Sequence, residues 1–247
     1  MTEKEKIRFD GICRAVAERH LQNGDMGIGT YMEKRLHRII KEFVTEDESC
    51  YEVGVGRYVA DVYSEGHITE IQTASFKPLA PKIRYYLENT DCKITVICPL
   101  LAENMIIRID PESGEALRKR RSSVHENFCD LIARLYYLRD TVPNERLEFK
   151  VMLIRAEEHR YSERMRYRKE GAYVSELFPI ELLDSRTFCS YDDFRVLLPP
   201  ADEFDAKYYS AFIKRKGRDL YSCLNFLCSI GLLCREKQGR KYIYKKT

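Results

Sequence analysis

The segment Arg57-Tyr-Val-Ala-Asp61-Val-Tyr63-Ser-Glu65-Gly66-His67-Ile-Thr-Glu70-Ile-Gln72 decides how this chain reads. Two strand-like runs flank a short turn, and each carries a carboxylate where an apolar residue is expected. Side chains alternate between the faces of a strand, so Glu70 and Gln72 point the same way. A two-residue loop at Glu65-Gly66 pairs Ser64 with His67 and sets Asp61 directly opposite Glu70. Like charges that face each other across a ladder destabilise a sheet unless something positive lies between them. A divalent metal ion is the obvious candidate.

Hard oxygen ligands suit Mg²⁺ or Mn²⁺, which activates water and offsets charge on the leaving oxygen in phosphodiester hydrolysis. Asp61 and Glu70 supply two ligands, and the carbonyl of Ile71 can supply another. Gln72 lacks the charge of a lysine but can orient a water by hydrogen bonding. Glu33, on the preceding helix, can reach the same point as an outer ligand. The candidate catalytic set is therefore Asp61, Glu70, Gln72 and Glu33. The bland alternative is an exposed Asp and Glu on the outer face of an edge hairpin.

Outward from this hairpin, the apolar periodicity predicts an ordered α/β core. A helix is expected over 3–22, carrying Ile7, Ile12, Val16 and Leu21. A second is expected over 30–45, with Thr30 and Glu33 as a capping box and Leu36, Ile39, Ile40 and Phe43 inward. Strands follow over 50–55, 57–64 and 67–73, and then a helix opened by Pro78 and Pro81. The apolar run Lys93-Ile-Thr-Val-Ile-Cys98 predicts a buried central strand. Further expectations are a strand over 105–109, a long helix over 123–139 and a strand over 147–154.

The helix with Glu33, the hairpin with Asp61 and the strand with Glu70-Ile71-Gln72 together resemble the PD-(D/E)XK nuclease superfamily. The likeness covers about residues 28–100 and rests on element order more than on letters. Ala60 stands where the family commonly has proline, and Gln72 where its commonest form has lysine, an E-x-Q variant. The resemblance implies a restriction-endonuclease-like mixed sheet flanked by helices. It implies a Mg²⁺- or Mn²⁺-dependent nuclease acting on DNA. It also leaves open a catalytically inactive descendant that binds DNA as a regulator. Many enzymes of this fold cut both strands as homodimers, although no segment here marks a symmetric interface.

Pro199-Pro200 marks the expected domain boundary, giving a nuclease-like domain over 1–200 and a small winged helix over 201–247. The tail holds two predicted helices, 204–214 and 218–230, and two strands, 232–236 and 241–245. It carries eleven Lys/Arg and five Asp/Glu, a balance of +6 against +3 for the whole chain, which leaves the first two hundred residues at −3. Lys214, Arg215, Lys216 and Arg218 at a helix start, with Arg240 and Lys241 on the wing, are the expected nucleic-acid contacts. A winged helix used only for packing is the alternative. Arg164, Arg166 and Arg168, in a loop expected over 155–169, form a second candidate phosphate track.

Other readings fail. Nine cysteines without a C-x-x-C pair suit reduced thiols in a cytoplasmic setting rather than a disulfide framework or a zinc site. No apolar run approaches the roughly 18 residues of a membrane span, so no membrane partner is expected. The five histidines make no H-x-x-x-H pair, and Gly27-Ile-Gly29 and Gly54-Val-Gly56 lack the context of a nucleotide loop.

Overall fold

The computed structural model describes residues 1–23, 31–110, 113–162 and 173–247. In chain order the elements are α1 (Glu3–Asn23), α2 (Tyr31–Val44), β1 (Tyr51–Val55), β2 (Tyr58–Ser64), β3 (His67–Ile71), α3 (Ala80–Asn89), β4 (Lys93–Ile109) and β5 (Ala116–Arg121). There follow α4 (Cys129–Leu135), β6 (Leu147–Ser162), β7 (Tyr173–Phe188), α5 (Tyr191–Arg195), β8 (Glu203–Asp205), α6 (Ala206–Ile213), α7 (Gly217–Ser229), β9 (Leu233–Gln238) and β10 (Lys241–Lys246). The fold is α/β. A seven-stranded mixed sheet runs β1-β2-β3-β4-β6-β7, with β5 paired to β4, and a separate three-stranded sheet runs β8-β10-β9. Among the described residues no helix is long and apolar enough to cross a membrane.

The chain divides into two compact units. The first comprises Met1–Val53, Pro99–Glu126 and Met152–Ser185. Here α1 packs on α2 through Phe9 and Phe43, whose rings meet edge to face at 5.5 Å. The buried stripe of α2 is the predicted one, Leu36, Ile39, Ile40 and Phe43. That of α1 is not: Phe9 and Cys13 face inward while Ile7 is 60% exposed. Positions 9 and 13 are one helical turn apart, so a single aromatic anchor overrides the looser Ile7-Ile12-Val16 series. Arg155 ties Glu103 to Glu181, and Lys6 reaches Glu181 and Asp10.

The second unit comprises Gly54–Cys98, Asn127–Val151 and Arg186–Thr247. Its β2 and β3 pair antiparallel, and β3 pairs parallel with the first residues of β4 from His67↔Lys93 to Ile71↔Ile97. In β3, Ile68 to Ile71 are all buried, the pattern of a central strand covered on both faces. Helix α3 buries Ile83 and Tyr86 and leaves Leu87 half-buried. Leu131, Ile132, Leu135 and Leu138 are all fully buried, with Phe128 half-buried. Residues 201–247 form β8, α6, α7 and the β9–β10 hairpin, and they fall within this unit together with α4.

Three expectations change in detail. The strands read as 93–98 and 105–109 are one continuous strand, β4. Pro99 stands between its parallel pairing with β3, which ends at Ile97, and its antiparallel pairing with β5, which begins at Met105. Pro99, with no N–H to donate toward Gln72, stands where the β3 ladder ends. The long helix over 123–139 shrinks to α4 and a single 3-10 turn through Leu138. Upstream of it, the Glu126 N–H donates to Leu101 O and its carboxylate accepts the Leu101 N–H, which holds that segment extended. The loop expected over 155–169 is strand as far as Ser162, and its remaining residues, with Arg164, Arg166 and Arg168, lie outside the described residues.

Candidate functional site

The β2–β3 turn has Glu65 at φ 50° and Gly66 at φ 78°. Two successive left-handed residues make the two-residue turn whose twist matches that of the flanking strands. The register follows as Ser64↔His67, Tyr63↔Ile68 and Val62↔Thr69. One step further sets Asp61 opposite Glu70. The backbone ladder stops there. The next narrow pair would join Ala60 to Ile71, but the Ile71 N–H donates instead to Asp61 Oδ2 at 2.7 Å. On the far edge the Gln72 N–H donates to Ile97 O at 2.9 Å. Alternate residues of a strand address alternate neighbours, so Ile71, one residue out of step, directs its N–H and C=O toward β2. The Asp61 carboxylate thus takes the Ile71 N–H at the place where the ladder opens.

Glu70 is 2% exposed. It faces α3, where Lys82 Nζ donates to its Oε2 at 2.5 Å and the Tyr86 hydroxyl reaches Oε1 at 3.4 Å. Lys82 and Tyr86 are four residues apart and share one face of the helix. Burial pushes the Glu70 carboxyl up to about 7; Lys82 pulls it down, and the charge of Asp61 adds to the rise. Burial and the neighbouring Glu70 charge also push the Tyr86 phenol up. An exposed edge carboxylate is therefore not what the chain builds at position 70.

Lys82 is the residue that sequence reasoning passed over. It lies three residues after Leu79 and four before Tyr86, both buried, which places it on the inward face of α3. A cation on the apolar face of the helix that follows β3 was the available signal. Gln72 lies just beyond the end of β3, half-buried, and its Nε2 donates to Ser75 O at 3.2 Å. Glu33 lies in α2, with its side chain outside the described residues.

Asp61 lies near enough to Glu70 for its charge to raise the Glu70 carboxyl, and carboxylates with a backbone carbonyl are hard oxygens, suited to Mg²⁺ or Mn²⁺ rather than to a thiolate- or imidazole-seeking metal. Among the described residues, no group of three or more His, Cys, Asp and Glu side chains converges. The nine cysteines are free.

The tail cations are placed less simply than the winged-helix expectation has it. Arg215 forks onto Asp130, with Nε and Nη2 at 2.5 and 2.6 Å from the two carboxylate oxygens. Lys214 ends α6 in a left-handed conformation, and Lys216 caps the start of α7. Arg218 donates to the Tyr137 hydroxyl at 2.8 Å, and Lys241 lies 3.6 Å from Asp205. Arg240 sits exposed in the β9–β10 turn. The inner face of α7, Leu220, Leu224 and Leu227, is buried, as is Ile230 just after it.

No curated protein and no solved structure matches the chain. A family described as a domain of unknown function, DUF8091, matches residues 34–189, a span that holds Asp61, Glu70 and Lys82, and the chain belongs to that family.

Proposed function

We propose that the chain is a Mg²⁺- or Mn²⁺-dependent nuclease that hydrolyses phosphodiester bonds in DNA. The observation that carries this reading is the pairing of Lys82 of α3 with Glu70 of β3, Nζ 2.5 Å from Oε2, within reach of the Asp61 charge from β2. The charge missing at Gln72 is supplied from α3. Asp61, Glu70 and the Ile71 carbonyl would hold the cation, which when bound supplies an activated water and offsets charge on the phosphoryl oxygens. Asp61 offers Oδ1 while its Oδ2 orients the Ile71 backbone. Glu70 must be ionised to hold the cation, so cation binding would compete with the proton that burial favours on its carboxyl. Lys82 holds a positive charge in a half-buried position, where it stabilises an oxyanion more strongly than in water.

Nicking of supercoiled plasmid tests the proposal. Wild type should nick with Mg²⁺ or Mn²⁺ and not in chelator, and Asp61→Asn, Glu70→Gln and Lys82→Met should each lose the activity. Wild type that never nicks with either metal ends this reading. The second reading is a DNA-binding regulator with the same fold and no turnover. It is favoured by the fact that both carboxylates are already engaged, Glu70 by Lys82 and Asp61 by the Ile71 N–H. Duplex binding without nicking would select it.

A further inference from the structure

A second concentration of charge lies in the first unit, on the β4–β5 hairpin. All of β5 is exposed, and Arg118, Lys119, Arg120 and Arg121 follow one another along it. The antiparallel register sets Arg108 directly opposite Arg118, and Ile106 opposite Arg120. Alternation keeps Arg118 and Arg120 on one face. With Arg108 and with Arg160 from β6, they line a hollow of about 170 Å³. Glu158 is forked by Arg160, at 2.7 and 3.1 Å. Among the described residues neither Arg118 nor Arg120 pairs with a carboxylate, and Arg120 donates only to the Arg121 carbonyl, at 3.4 Å. The other face carries Lys119, 2.9 Å from Glu157, and Arg121. The outer edge of β5 pairs with no other strand among the described residues.

We infer that the exposed β5 edge of the sheet grips the phosphate backbone of duplex DNA, with Arg118 and Arg120 as its main contacts. A guanidinium fork matches two phosphate oxygens at once, and several forks around one hollow suit a phosphoryl group rather than a carboxylate ligand of larger body.

This inference rests on the proposed nuclease reading for its ligand and not for any chemical step. Its test is fluorescence anisotropy with a labelled DNA duplex in chelator, titrated at several salt concentrations. Arg118→Gln/Arg120→Gln should weaken binding about tenfold or more, and should lower the slope of log affinity against log salt by about two, close to 0.9 for each phosphate released. Arg195→Gln, a surface arginine of α5 paired with Asp192, should change neither. Circular dichroism checks that the exposed double variant is folded. Unchanged affinity and slope in the double variant overturn the inference, as does an equal loss in Arg195→Gln. Wild type that takes up inorganic phosphate by calorimetry but no duplex also overturns it. Plasmid nicking on the same preparations keeps the two readings apart. Wild type that binds through these arginines without nicking sinks hydrolysis alone, whereas nicking with binding unchanged in the double variant sinks the β5 contact alone.

Discussion

The Lys82 ammonium lies 2.5 Å from a Glu70 carboxylate whose side chain is only 3% exposed. Removing one partner of a buried pair leaves the other without compensation, which costs more than the pair itself contributes. Lys82→Met should lower stability at mildly alkaline pH by about 3 kcal/mol in urea denaturation. Adding Glu70→Gln should restore most of that loss, because the two sites interact directly. A single variant as stable as wild type would show that the pair contributes nothing.

Glu70 also makes stability depend on pH. Its carboxyl is raised from 4.5 to about 7 in the folded chain, so folding takes up a proton between those values. The contribution is fully present below about pH 4.5 and is lost as pH rises through about 7. Its size is on the order of 3 kcal/mol across that window. Urea midpoints should therefore fall as pH rises toward 8, and Glu70→Gln should flatten the fall. The same slope in both proteins would assign the titration to another group.

Arg215 is the tail cation whose loss should matter most for stability. Its fork onto Asp130 of α4 is partly buried, with side chains 23% and 14% exposed. Arg215→Ala should cost about 2 kcal/mol, while Lys241→Ala, on a side chain 73% exposed, should stay within about 0.5 kcal/mol. Thermal unfolding of the two variants, side by side, checks the contrast. Equal melting points would mean that Arg215 is free to act at the surface.

Gly56 offers a test of the turn between β1 and β2. Its φ is +59°, and a Cβ there would strike the ring and hydroxyl of Tyr85. Arg57 lies over that same ring at 4.6 Å, so the ring is held on both sides. Gly56→Ala should cost at least about 1 kcal/mol in chemical denaturation, whereas Gly54→Ala, with nothing within 4 Å, should be neutral or slightly favourable. A neutral Gly56→Ala would show that the turn relaxes.

The parts of the fold legible in the sequence are those with a strong local signal. The two-residue turn at Glu65-Gly66, the Leu36–Phe43 stripe and the apolar run before Pro99 each declare their element through periodicity or turn chemistry. What escaped has weak local signal and strong tertiary cause. Strand β5 is fully exposed and basic, with no apolar alternation, and exists because β4 offers it an edge. In α1 the inward face is set by Phe9 packing on Phe43 rather than by the count of aliphatic residues. At the candidate site, Asp61 and Glu70 were legible because strand register is local. Lys82 was not, because its approach to Glu70 depends on how α3 lies against β3.

The left-handed pair Glu65-Gly66 carries a further consequence. Because strand side chains alternate with a period of two, a one-residue change in the turn would swing Asp61 and its neighbours to the opposite face. Mutational drift can therefore change the exposed letters between Asp61 and Glu70, such as Ser64 and His67, at modest cost, but it cannot change their number. In descendants of this chain the spacing between the two carboxylates should outlast the identity of the residues that fill it.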